Sequence, residues 1–204
     1  MCYRYYIDLF FKRKFNNTAR DRGLIVPENV LAKLAEPRDV HPSETALVIA
    51  GSRTGGTLMA EGMGWGFTSP MSKGLLANAR SESVKEKPTF KESALLRRCV
   101  IPASGFYEWD AHKARFRFCR NDDELIWLAG IFRPENGLNR FTVLTRAAAG
   151  SMLGIHDRMP VTVEREEIPN WIGDPEYADR IIMREPGYLM REQDAGQVSM
   201  DLGI

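Results

Sequence analysis

Cysteine and histidine are scarce in this chain, and that scarcity sets limits before any motif is considered. The three cysteines, Cys2, Cys99 and Cys119, are odd in number, far apart and without a CxxC spacing. A disulfide framework or structural zinc site needs close, paired residues, so neither is expected. The three histidines, His41, His112 and His156, are equally dispersed, and no metal or cofactor is assigned. Long apolar runs are missing too. Leu125–Phe132 and Thr45–Ala50 are strand-length, far short of the ~20 residues that span a bilayer. Arg4, Asp8 and the Lys12-Arg13-Lys14 run interrupt the profile that a secretory leader needs. A cytoplasmic protein with no membrane partner is the expectation. Internal repeats and low-complexity tracts are also lacking.

What is present is ordinary in bulk and uneven in detail. The 204 residues, 44% hydrophobic and 27% charged, suit one well-buried domain over 1–204. The net charge of +1 conceals an asymmetry, because residues 73–120 hold eleven Lys and Arg against five Asp and Glu. A phosphate-facing surface produces this pattern, as does a solvated face whose counter-charges lie elsewhere on the fold. On this basis the Lys85–Lys91 and Arg97-Arg98 clusters are candidates to face phosphate.

Local patterns sketch an α+β fold. Pro27-Glu28-Asn29 ahead of Val30, Leu31 and Leu34 predicts a short helix, and Thr89-Phe90-Lys91-Glu92 reads as a capping box opening another. Thr45–Ala50 is a buried strand, Gly51–Gly56 a loop, and Leu58–Phe67 a glycine-bent strand. Strands then dominate: Val100–Trp109, an alternating Ala114–Cys119, Leu125–Phe132 and Arg140–Thr145, with turns at 121–123 and 135–137. Glu164–Ile172 is a helix that starts or kinks at Pro169, and Glu192–Ile204 is a candidate tail. The sum is a mostly antiparallel β core closing toward a barrel, with flanking helices.

Four residues stand out chemically. If Met1 is removed, Cys2 carries an α-amine and a thiol on one residue. The amine condenses with an aldehyde to an imine, and the thiol closes on the imine carbon to give a thiazolidine. Reference pKa values of about 7.8 and 8.5 leave part of both groups nucleophilic at neutral pH. Glu108 lies among apolar and aromatic neighbours in Ile101–Trp109. Desolvation there raises a carboxyl pKa toward neutrality, although a strand-end carboxylate paired to an arginine fits the same letters. Asn78 sits in Asn78-Ala79-Arg80-Ser81-Glu82, a run dense in polar groups, and His156 in Ile155–Pro160 between two strands. The residues alone leave three functions open: aldehyde capture, an N-terminal-nucleophile amidohydrolase or peptidase acting in trans, and a non-covalent reader of single-stranded or modified DNA.

Met1-Cys2-Tyr3-Arg4-Tyr5, the Asp39–Ile49 segment, Trp65-Gly66-Phe67, Asn78–Glu82, Arg97-Arg98-Cys99, Gly105–Trp109 and Ile155–Val161 follow one another in a fixed order. This series resembles the SOS response-associated peptidase (SRAP) family over about residues 1–172. The resemblance implies an α+β fold with a barrel-like core and a basic groove for DNA. It implies covalent capture of abasic sites in single-stranded DNA and at junctions with duplex, with lyase activity and self-removal of Met1 (hence peptidase, a hydrolase) as further activities. It also implies roles: Cys2 the nucleophile, Asn78 positioning, Glu108 acid–base, His156 assisting ring opening and reversal. DNA contacts would come from Arg4, Trp65, Arg80, Thr145 and Arg158. Two departures stand out. Tyr3 replaces the usual glycine, and Thr68-Ser69-Pro70 is not followed by the usual second aromatic.

Overall fold

The computed structural model describes residues 2–51 and 56–193. The chain opens with β1 (Tyr5–Ile7), α1 (Phe11–Arg22), α2 (Glu28–Leu34) and β2 (Arg38–Val40). Next come β3 (Thr45–Gly51), β4 (Leu58–Trp65), β5 (Phe67–Thr68), β6 (Leu75–Leu76), β7 (Asn78–Arg80) and α3 (Pro88–Leu96). The strand-rich middle is β8 (Arg98–Ala103), β9 (Gly105–Trp109), β10 (Arg115–Cys119), β11 (Ile126–Glu135) and β12 (Leu138–Ala147). The last elements are β13 (Arg158–Pro160), β14 (Thr162–Val163), α4 (Ile168–Gly173), α5 (Pro175–Met183) and β15 (Met190–Gln193).

The barrel closes. β3 pairs with β4 and β8, β8 with β11, β11 with β12, and β12 returns to β4 through Arg140↔Gly64 and Phe141↔Trp65. That last contact is parallel and the other four antiparallel, so five strands form a ring without a free edge. A ring this small is filled by side chains. Ala46 to Ala50 are buried on both faces of β3 because α2 and α4 cover the outside. The β11–β12 hairpin turns on Asn136 and Gly137, both at positive φ (50° and 81°), as a two-residue type I′ turn requires.

A second antiparallel sheet, in the order β15-β10-β9-β1-β2, lies beside the barrel. One run of chain serves both sheets, β8 in the ring and β9 in the second sheet, with only Ser104 between them. Ser104 donates its backbone N–H to Tyr6 O (3.0 Å) and accepts from Asp8 N (3.0 Å), which ties the hinge to β1. Gly105 must be small. A Cβ there would lie 2.4 Å from Phe118 O and from the Tyr6 hydroxyl, because Tyr6 crosses the sheet over it.

Several expectations need correction. α3 starts at Pro88, one residue before the supposed capping box, with Lys87 as its N-cap and no side-chain capping bond. Proline at the first helical position settles the start, because its missing N–H is one the helix leaves unbonded anyway. Pro169 does open α4, behind a 3-10 turn (Arg165–Glu167) whose capping box joins Glu164 and Glu167. Glu192 and Gln193 belong to β15, paired with β10, so only residues 194–204 of the supposed tail fall outside the described residues. α1 and α5 were not anticipated. α1 buries Phe11, Phe15, Thr18 and Ala19, one helical stripe partly disguised by the charge run at 12–14.

Candidate active site

Alternation along β9 decides the chemistry of its residues. Phe106 and Glu108 point inward and are buried, whereas Tyr107 and Trp109 are half-exposed. Glu108 is therefore only 3% exposed, in a sheet whose inner face is aromatic. Burial, the largest influence, pushes its carboxyl up to about 7, and the Asp157 charge adds to the rise.

Antiparallel pairing of β1 with β9 brings the start of the chain to this carboxyl. Cys2 is fully buried, and its backbone carbonyl accepts a hydrogen bond from Asn78 Nδ2 (3.0 Å). Burial pushes the Cys2 thiol well above its ordinary range, and the neighbouring Glu108 charge pushes it further. This corrects the expectation drawn from reference values: the thiol here is protonated at neutral pH and needs a base. Asn78 Oδ1 is buried with no partner among the described residues, which leaves an acceptor beside Cys2. Tyr3 is 47% exposed, so it crowds nothing inside the protein.

β7 carries Asn78 because β4 gives way. Beyond Trp65 the chain turns at Gly66 (φ 102°), makes the β5–β6 hairpin, and returns as β7 on the same side of β12. Val143↔Asn78 and Thr145↔Arg80 continue the parallel pairing that Phe141↔Trp65 began. Trp65 is wholly buried against Tyr5 and Phe141, with ring centroids at 5.4 and 6.0 Å, and donates its indole N–H to Ala77 O (2.9 Å). Thr145 is also wholly buried. Neither side chain presents surface to a DNA strand in this conformation, and both hold β7 in place.

The other expected residues divide by their pairing. Arg80 is exposed and has no ion-pair partner among the described residues. Arg4 pairs with Asp39 (Nε to Oδ2, 2.8 Å) and lies 5.3 Å from the Tyr107 ring centroid. Arg158 forms a fork with Glu82, at 2.8 and 2.7 Å, and donates to Thr145 O (2.7 Å). His156 accepts the Arg158 backbone N–H at Nδ1 (2.9 Å), beside Asp157 Oδ1 at 2.7 Å. Burial lowers the His156 pKa, so the ring is neutral at neutral pH. Since Asp157 also acts on Glu108, the His156 turn and the Cys2–Glu108 pair share one electrostatic environment.

The basic clusters do not act as a block. Arg98 is buried and donates to Trp171 O, Ala94 O, Leu95 O and Ile172 O, a structural role. Arg97 pairs with Glu92 and Lys85 with Asp179. Sequence reasoning passed over Glu82, although the Asn78–Glu82 run contained it. Its significance depends on Arg158, 76 residues away.

Comparison with known proteins adds independent evidence. The family model for "SOS response associated peptidase (SRAP)" matches residues 1–200. The chain belongs to the SRAP family. Among SRAP relatives, abasic site processing protein YoqW of Bacillus subtilis is 32% identical over 179 residues, covering 79% of this chain and 78% of its own. Abasic site processing protein HMCES of Xenopus tropicalis is 31% identical over 123 residues, 47% of this chain and 37% of its own length. A crystal structure of a protein from Bordetella bronchiseptica superposes with a TM-score of 0.73 at 22% identity, over 95% of this chain and 99% of that one. Its likeness concerns the fold.

Proposed function

We propose that this SRAP protein processes abasic sites in DNA by covalent capture, using Cys2 once Met1 has been removed. Met1 itself lies outside the described residues. One observation carries the reading: a buried second-residue cysteine, held through its carbonyl by Asn78, shares its enclosure with a carboxyl that titrates near 7. The names of its SRAP relatives support the substrate.

An abasic deoxyribose exists mainly as a closed hemiacetal, so a proton must move from its anomeric hydroxyl to the ring oxygen. Neutral His156 assists that opening. The Cys2 amine then adds to the aldehyde carbon, and Glu108 in its acid form protonates the departing hydroxyl, which leaves as water. The imine carbon next receives the Cys2 sulfur. Glu108, now a carboxylate, takes the thiol proton as the sulfur adds to the iminium that water loss left. The ring nitrogen keeps its own proton, Glu108 returns to its acid form, and the thiazolidine closes with net loss of one water. A carboxyl balanced near 7 can serve in both directions. Were the imine to persist, β-elimination would cut the strand, which is the lyase alternative. Arg80 and Arg4 grip the phosphates of single-stranded DNA or of a junction.

Mixing the protein with an abasic oligonucleotide, followed by a denaturing gel, tests the proposal. Protein with a mature Cys2 terminus gives a band that survives denaturation without reductant. Cys2→Ser keeps the amine and gives only a borohydride-trappable imine. A chain that retains Met1, verified by mass spectrometry, gives neither product. Equal crosslinking by the blocked and mature forms would overturn the thiazolidine and direct attention to a lysine.

A further inference from the structure

We infer that Glu82 is a positioning residue that acts through Arg158 to set the hydrogen-bonding state of His156. Three contacts make the case. Glu82 holds both arms of the Arg158 guanidinium, and Glu82 Oε1 also accepts the Ala147 backbone N–H (3.1 Å). Arg158 faces Ala147 in the final register pair of the β12–β13 ladder. The clamp therefore sits where that ladder ends and the His156 turn begins. A forked guanidinium–carboxylate pair fixes orientation as well as distance. The Arg158 side chain is 11% exposed and that of Glu82 50%, so the arginine is enclosed while its anchor is reached from solvent.

The consequence appears one bond away. Arg158 N–H donates to His156 Nδ1, which requires a lone pair there and places the neutral ring's proton on Nε2. Asp157 Oδ1 sits by the same nitrogen, ready to accept a proton that Nδ1 would carry in the other tautomer or in imidazolium. Nδ1 cannot satisfy both neighbours. Glu82, by fixing Arg158, keeps the backbone N–H in place and so keeps His156 an Nε2–H donor. In this structure Arg158, also expected to contact DNA, is engaged by Glu82 and Thr145 O.

The test uses the full chain with its mature terminus. In Glu82→Gln one amide N–H must face a guanidinium N–H, so half of the fork is lost. At neutral pH, 15N spectra of the imidazoles should show His156 with Nδ1 unprotonated in the parent, and a mixture of tautomers in the variant. A parent with protonated Nδ1, or an unchanged variant spectrum, overturns the inference. The kinetic arm rests on the abasic-site reading. There Glu82→Gln should slow crosslink formation or release about tenfold, and add little in a His156→Ala background. Additive losses would show that Glu82 acts by another route. Absence of any crosslink by the parent would sink the abasic-site reading alone, because the spectra still decide the role of Glu82.

Discussion

A carboxylate facing water costs the fold nothing, but one turned inward by strand alternation must be desolvated each time it ionises. Glu108 is in that position. Folded, it titrates at about 7, against 4.5 for an ordinary glutamate. Between these values the native state binds more protons than the unfolded chain, so stability declines as pH rises through that window and the loss is complete above pH 7. The cost is at most about 3 kcal/mol. Glu108→Gln should therefore be more stable than the parent to urea at pH 8, with the two converging below pH 4.5. The same substitution should slow crosslinking by about two to four orders of magnitude. A variant that gains stability yet crosslinks at the parental rate would make Glu108 a structural burden and not an acid–base group. Cys2 shows a related effect: burial raises its thiol, and the neighbouring Glu108 charge raises it further.

At the scale of elements, the β8–β9 run matters most, since it hands one strand from the barrel to the second sheet within two residues. The exchange depends on Gly105, over which Tyr6 lies. Gly105→Ala would press Cβ against the Phe118 carbonyl, forcing β9 from β10 or displacing Tyr6. Overpacking of this kind costs about 1–3 kcal/mol, and denaturant titration should register it. Glu108 follows three residues later, so crosslinking should weaken by more than the unfolded fraction explains. A variant as stable and as active as the parent would show that the sheet absorbs the methyl group. The strand alternation and the 136–137 turn were legible in the sequence, each being a local property. The Thr89 capping box failed because capping residues are equally at home inside a first turn, and a neighbouring proline prevailed.

Over the whole molecule, many arginines are held in internal ion pairs. Arg117 holds Glu192, Arg120 holds Asp122 and Glu164, and Arg133 holds Glu135. Within 73–120, Lys85, Arg97, Arg117 and Arg120 are paired and Arg98 is buried, so the excess at the surface is smaller than the sequence count. Arg80 is exposed at the end of β7, two residues from the Asn78 that holds Cys2. Arg80→Ala should weaken binding of abasic and intact single strands alike, and should flatten the log–log salt slope by about 0.7. Titrations at several salt concentrations check both. An unchanged slope would remove Arg80 from the DNA interface. Among the described residues no helix is long and apolar enough to cross a membrane.

The sequence by itself determined the mixed α+β character, most strand positions and the candidate reactive groups, because alternation, turn chemistry and an aminothiol are written in neighbouring residues. The order of its motifs was enough to point to the SRAP family. The tertiary structure decided what those groups are able to do. Closure of the ring through the parallel β12–β4 contact, the burial that moves Glu108 and Cys2 in pKa, and the Glu82–Arg158 clamp all join residues tens of positions apart. Trp65 and Thr145 became supports for β7, and Arg98 an anchor for α4, for the same reason. Desolvation and pairing depend on which distant segments fold against a side chain, and residue type alone does not encode that.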